Sequence, residues 1–227
     1  MKIFVLGGGG SVGRAFAKIA SKELGEVVLV DLRKSDSDEY RSISADCLNP
    51  AEIGQLILSE QPDVIINAIN MATIFSRVPA EGNKRSILFH LGLYDTLSKM
   101  GKRVSYLQVG TLGTGGLGFN VPFTHGEAQD DLPLFHKAAL SGVTTSMLVL
   151  LSRSLPNCQV SEIKPGLSIF NTDVTSANFE GCSLVLLDGG ENGHYTYDEL
   201  ALLTSFMGFT TPERNAREMM MVLAGEI

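Results

Sequence analysis

Two textures of apolar residues alternate along the chain. Ile3 to Leu6, Val27 to Val30 and, within Pro62 to Ile69, Val64 to Ile66 are unbroken apolar runs rich in β-branched residues, the pattern of strands covered on both faces. Further strands are predicted at Ser42 to Ala45, Val104 to Val109, Cys158 to Lys164 and Ser183 to Leu187. Between them apolar residues recur at helical spacing. Val12, Phe16, Ile19 and Ala20 share one face of a first helix that ends near Gly25. Asn49 followed by Pro50 and Glu52 is a helix start, with a side-chain cap, a proline at the first position and a reciprocal acid. Past a loop containing Pro79 and Gly82, Ile87, Leu91, Tyr94 and Leu97 mark a helix from Ser86 that Gly101 closes after Met100. A long helix is expected from Leu134 to Leu155. A capping box at Thr196 to Glu199 opens another over Leu200 to Met207, and a last helix begins at Thr211-Pro212-Glu213. Strands alternating with helices predict an α/β fold with a parallel sheet, helices on both faces and right-handed crossovers.

The 227 residues fit one α/β domain. The 44% hydrophobic and 19% charged content excludes a disordered chain. A net charge of −7, with Lys and Arg scattered, excludes the basic stripe that nucleic acid needs. No apolar run approaches the roughly 18 residues of a membrane span. Cys47, Cys158 and Cys182 show no CxxC and no metal-ligand spacing, so reduced thiols, a cytoplasmic location and no metal are expected.

The chemistry concentrates at Gly7-Gly8-Gly9-Gly10-Ser11-Val12-Gly13, between the first strand and the first helix. Glycines allow a tight turn and close approach of backbone, and the N–H groups opening the helix then face a pyrophosphate. Gly8, Gly10 and Gly13 satisfy GxGxxG, whereas Gly7, Gly10 and Gly13 satisfy GxxGxxG. Asp31 closes the second strand about 20 residues on, as expected of an acid that binds the adenosine ribose. A carboxylate there selects NAD over NADP; Arg33 and Lys34 nearby keep NADP as the alternative. A second glycine-rich stretch, Gly110 to Gly118, leaves the fifth strand where α/β sheets bind ligands.

In the order and spacing of these residues the chain resembles a short, atypical member of the short-chain dehydrogenase/reductase superfamily, on its extended, epimerase/dehydratase-like branch. Gly7, Gly10 and Gly13, with Ser11 and Val12 between, match its glycine pattern, and Asp31 with Leu32 its ribose-binding acid. Asp46-Cys47 stands where the family places residues against adenine, and Asn67-Ala68-Ile69 where a strand ends beside the cofactor ribose. Pro165-Gly166 matches the segment next to the nicotinamide, and Asp188 to Asn192 the branch's C-terminal element. The resemblance implies a doubly wound, Rossmann-like sheet of order 3-2-1-4-5-6-7. It implies one domain over 1–227, with a small substrate-side portion drawn from 165–227. It also implies a homodimer built on the helices Ser86 to Met100 and Leu134 to Leu155.

The family's catalytic set is incomplete here. Thr111 takes the position that holds the substrate oxygen, and Lys137 matches the lysine that contacts the nicotinamide ribose. Four residues before that lysine, where the family has its proton-transferring tyrosine, stands Pro133, which has nothing to titrate. His125 and His136 are the replacement candidates, His125 in the loop over the expected pocket and His136 one helical position from Lys137. Two functions follow. One is an NAD(P)-dependent oxidoreductase or epimerase/dehydratase on a small carbonyl or hydroxyl substrate, using Thr111, Lys137 and His125 or a water. The other is a dinucleotide-binding sensor or interaction module without turnover, which the missing tyrosine favours.

Overall fold

Alternation along each strand sorts its side chains into two cores. In the computed structural model, which describes residues 1–34, 37–75, 78–110, 132–163 and 212–225, β1 (Lys2–Leu6) sends Phe4 and Leu6 to one face and Ile3 and Val5 to the other. β2 (Glu26–Asp31) divides likewise, with Val28 and Val30 opposite Val27 and Leu29. The remaining strands are β3 (Arg41–Ser44), β4 (Val64–Asn67), β5 (Val104–Val109) and β6 (Cys158–Ile163). They form a parallel sheet of order β3-β2-β1-β4-β5-β6. Registers such as Val5 with Leu29 and Val5 with Ile66 align the carboxyl ends of β2, β1 and β4. The expected order therefore holds through six strands; the seventh, and the helix Leu200 to Met207, lie outside the described residues.

One face is covered by α1 (Ser11–Glu23) and the C-terminal helix α6 (Pro212–Ala224), through Phe16, Ala17, Ala20, Ala216 and Met219. The other is covered by α2 (Pro50–Glu60), α4 (Pro79–Leu97) and α5 (Leu132–Ser154), through Ile53, Ile57, Phe89, Leu93, Leu97, Leu148 and Leu151. A one-turn helix α3 (Met71–Ile74), not foreseen from the sequence, follows β4. Asn49 caps α2 as expected, its side chain accepting from the N–H groups of Ala51 and Glu52. Its own N–H donates to the Asp46 carbonyl at 2.9 Å rather than to Glu52, so the box is half closed.

α4 departs most from expectation. Pro79 and Gly82 lie inside it, because proline fits a first helical position, where its fixed φ suits the helix and no N–H is needed. It ends at Leu97 through Ser98 in right-handed conformation, and Gly101 has no positive φ. Its inner face carries Ser86, Phe89, His90, Leu93, Thr96 and Leu97, while Leu91 is exposed. Polar residues can face inward because each has a hydrogen bond: His90 Nδ1 donates to the Ser86 carbonyl at 2.7 Å, Thr96 Oγ1 to the Gly92 carbonyl at 2.8 Å, and Ser86 Oγ pairs with Thr144 Oγ1 of α5 at 3.3 Å.

The amino ends of the strands are tied by charge. Arg41 grips Glu60 through two nitrogens, at 2.9 and 2.7 Å, and Lys2 Nζ reaches the same carboxylate at 2.9 Å. Asp63 accepts from the Lys2 backbone N–H and pairs with Lys102. Together these join β1, β3, α2 and the approaches to β4 and β5 at the edge remote from the glycine loop.

Candidate dinucleotide-binding site

The loop from β1 to α1 folds onto the carboxyl end of β2 through one carbonyl. Val30 O accepts from Gly7 N–H at 2.9 Å and Gly8 N–H at 3.2 Å, and the buried Cys47 Sγ donates to it at 3.2 Å. Gly7 has φ +72°, the left-handed region that glycine occupies without strain. A Cβ on Gly7 would also lie 3.0 Å from the backbone of Ile69. A Cβ on Gly13 would come within 2.6 Å of the Gly8 carbonyl oxygen. A Cβ on Gly8 would likewise come within 2.7 Å of the Val5 carbonyl oxygen. At Gly10 a Cβ would make only ordinary contact, 3.5 Å from the Gly7 carbonyl oxygen. The packing therefore requires glycine at Gly7, Gly8 and Gly13 and is compatible with both the GxxGxxG and the GxGxxG spacing.

Gly10 is the N-cap of α1, no side chain caps it, and the first turn holds no acid. The first N–H groups of a helix have no partner within it, so those of Ser11, Val12 and Gly13 are left to solvent or to an anion. Asp31, at the end of β2, leans over the loop: its Oδ2 accepts from Gly9 N–H at 3.1 Å and its Oδ1 from Arg33 N–H at 3.3 Å. Leu32 beside it is 67% exposed, an apolar side chain held out next to the acid. Asp46 Oδ1 accepts from Leu48 N–H at 2.9 Å, shaping the turn after β3.

Two expected contact residues have their side chains in the core. Burial pushes the Cys47 thiol up to about 12, helped by the carboxylates of Asp31, Asp46 and Glu52, so it stays protonated and is no nucleophile. Asn67 is 3% exposed, and its amide is committed: Nδ2 donates to Tyr106 OH at 3.1 Å and Gln108 Oε1 at 2.9 Å, while Oδ1 accepts from Ile69 N–H at 3.1 Å. These bonds turn the chain so that Ala68 and Ile69 pass against Gly7. Gln108 completes the network, with Nε2 donating to the Val109 carbonyl at 2.9 Å and Oε1 accepting from Tyr106 OH at 3.0 Å. Sequence reasoning missed Gln108 and Tyr106; the available signal was a glutamine inside an apolar strand. Burial pushes the Tyr106 phenol up, so this tyrosine is a core hydrogen-bonding group and no stand-in for the missing acid/base.

The structure thus brings Gly7, Gly10, Ser11, Val12, Gly13, Asp31, Leu32, Asp46, Cys47, Asn67, Ala68 and Ile69 to the carboxyl ends of β1, β2, β3 and β4. Thr111, His125 and Pro165 lie outside the described residues. Lys137 falls within α5, its side chain outside the description. Among the described residues no three His, Cys, Asp or Glu side chains converge as metal ligands, and no helix is long and apolar enough to cross a membrane.

The glycine loop, the uncapped helix and the poised acid fit a dinucleotide, and comparison with known proteins agrees. The model of the NAD dependent epimerase/dehydratase family matches residues 3–132. No curated protein matches the sequence. Among solved structures, a proposed exported protein from Burkholderia pseudomallei is 18% identical with a TM-score of 0.58, the match covering 100% of this chain and 95% of that one. UDP-glucose 4-epimerase from Thermotoga maritima, solved with UDP-glucose, is 18% identical with a TM-score of 0.58, the match covering 75% of this chain and 57% of the epimerase. A GalE-like L-threonine dehydrogenase from Cupriavidus necator is 9% identical with a TM-score of 0.61, over 79% of this chain and 60% of the enzyme. At these identities the likeness is one of fold.

Proposed function

The chain belongs to the NAD dependent epimerase/dehydratase family, and from that premise we propose that it binds NAD and acts as an oxidoreductase or epimerase/dehydratase on a small carbonyl or hydroxyl substrate. The observation that carries the reading is the pairing of a Cβ-free loop and uncapped helix with Asp31 leaning over them. Backbone N–H groups of Ser11 to Gly13 receive the pyrophosphate, Asp31 the adenosine ribose, and Leu32 with the Asp46-Cys47 turn the adenine. Ala68 and Ile69 line the middle of the dinucleotide, and Pro165 its nicotinamide end. NAD so held supplies a site for reversible hydride transfer. Thr111 holds the substrate oxygen, Lys137 the nicotinamide ribose, and His125 or a water moves the proton.

Pro133 in the first turn of α5 favours a second reading, a dinucleotide-binding sensor or interaction module that does not turn over. Two further proposals complete the picture. Residues 1–227 form one domain, supported by the burial of Ala216 and Met219 against α1. A homodimer forms on α4 and α5, supported by exposed Leu88, Leu91, Val149 and Leu150 on those two helices. The buried, unpaired thiols Cys47 and Cys158 suit a reducing cytoplasm.

Calorimetry with NAD+ and NADP+ tests the cofactor, with tighter NAD+ binding expected and tighter NADP+ binding counting against the role of Asp31. Mass spectrometry of ligand co-purified with the protein separates the two readings. A dinucleotide together with a carbonyl or hydroxyl compound supports the enzyme, and a dinucleotide alone the sensor.

A further inference from the structure

Gln108 is a polar side chain where an apolar strand would otherwise pack. It is next to last in β5, in register with Asn67 of β4, and only 5% exposed. Every hydrogen-bonding direction of its amide is taken: Oε1 accepts from Asn67 Nδ2 at 2.9 Å and Tyr106 OH at 3.0 Å, and Nε2 donates to the carbonyls of Val109 at 2.9 Å and Asn67 at 3.4 Å. We infer that Gln108 is a positioning residue for the dinucleotide: through Asn67 it fixes where the chain leaving β4 lies against Gly7, and so where the pyrophosphate loop begins.

The inference rests on the dinucleotide reading above and deepens it. The bonds allow one arrangement only. Asn67 Oδ1 accepts from Ile69 N–H at 3.1 Å, so turning the Asn67 amide over would set N–H against N–H, and turning Gln108 over would set its amide nitrogen against Asn67 Nδ2. His90 on α4 gives its Nδ1 proton to the Ser86 carbonyl and leaves Nε2 a lone pair, so it does not compete for Gln108 Oε1. Beyond Asn67 the chain has no slack. Ala68 N–H donates to the Leu6 carbonyl at 2.9 Å, and a Cβ on Gly7 would lie 3.0 Å from both Cα and N of Ile69. A shift of Ile69 therefore passes to Gly7 as backbone against backbone, which no rotamer change relieves. Asp31 is held instead by the N–H groups of Gly9 and Arg33, so the adenosine half does not depend on Gln108.

Calorimetry with NAD+ and with AMP on the parent protein, Gln108→Met and Tyr106→Phe tests this, with each variant's melting recorded. Methionine keeps the length of the side chain and loses its hydrogen bonds. Gln108→Met is expected to weaken NAD+ binding about tenfold and AMP binding less than about twofold, because AMP engages Asp31 without reaching past Ala68 and Ile69. Tyr106→Phe removes one donor to Gln108 Oε1 and should weaken NAD+ binding about threefold, again with AMP nearly unchanged; it makes the same test should Gln108→Met fail to fold. Equal losses for NAD+ and AMP mean a general loosening and overturn the inference, as does unchanged NAD+ affinity; either leaves the cofactor reading standing. A parent protein that binds NAD+ but not AMP has no separate adenosine half and overturns the inference as well. A parent that binds neither overturns both.

Discussion

Replacing Gly13 by alanine sets two opposing effects against each other, and the structure says which prevails. Alanine is favoured over glycine inside a helix by about 1 kcal/mol. The added Cβ, however, would lie 2.6 Å from the Gly8 carbonyl oxygen and 2.7 Å from Gly8 Cα. Both are backbone atoms, so no rotamer change relieves the contact, which is about 0.8 Å short of the 3.4 Å where ordinary contact begins. Overpacking of this kind costs roughly 1–3 kcal/mol. The net loss is about 1 kcal/mol, or roughly 2–4 °C in Tm for a chain of this size. Ligand binding should suffer more. A shift of about 0.8 Å between α1 and the loop stretches a hydrogen bond of about 2.9 Å to about 3.7 Å, beyond useful length. Losing one charge-assisted bond to a pyrophosphate lowers affinity roughly ten- to a hundredfold. Scanning calorimetry and NAD+ titration read the two numbers separately. A lowered Tm with unchanged NAD+ affinity would refute the seating of the pyrophosphate on α1, and a raised Tm would refute the close contact itself.

Three other outcomes are expected. Hydrogen bonds from Arg41 and then Lys2 hold the Glu60 carboxyl down at about 2. Its contribution to stability is therefore full above the ordinary carboxylate range near 4.5 and disappears as pH falls toward 2. Because the cluster is near the surface, Glu60→Gln should cost only about 1 kcal/mol at pH 7 in urea unfolding, and the gap from the parent should close below pH 4; a gap independent of pH would contradict this. Burial holds the His90 imidazole below its usual value and keeps it neutral. The unfolded chain then binds the extra proton first, so stability falls as pH drops from about 6.5, and His90→Leu should flatten that slope in denaturant titrations from pH 7 to 5. Light scattering at micromolar concentration should give twice the 24.4 kDa of one chain, and Leu91→Glu on the exposed face of α4 should halve it; a parent mass of one chain refutes the dimer.

The sequence was most informative where a single local rule governs. β5 appears at its expected bounds, and α2 starts at its expected cap, because burial on both faces and side-chain capping are decided within a few residues. Asp31 could be found by its distance from the glycines, since strand, loop and helix lengths repeat in a βαβ unit. What could not be read were features that depend on hydrogen-bond partners, whether one helical turn away or across the fold. The inner face of α4 was misassigned because Ser86, His90 and Thr96 are made compatible with burial by bonds that hydrophobicity does not report. Asn67 reads as a residue beside the ribose, yet its amide belongs to Tyr106 and Gln108, about 40 residues away in sequence.

The strand order also sets a gradient of softness across the site. β3 is the edge of the sheet, four residues long and without a fully buried position, and it pairs Ser44 with Asp31. With the proposed seating, the adenosine end of the dinucleotide would lie next to this exposed edge strand, whereas β4, buried at every position, lies between two neighbours. A ligand that engages Asp31 raises the free energy of opening there by its binding energy, so the amides of β2 and β3 should register NAD+ by slowed hydrogen exchange while those of β4 scarcely change. On the proposed reading Asp31 therefore doubles as a latch on this margin of the sheet, which stiffens when a nucleotide is in place.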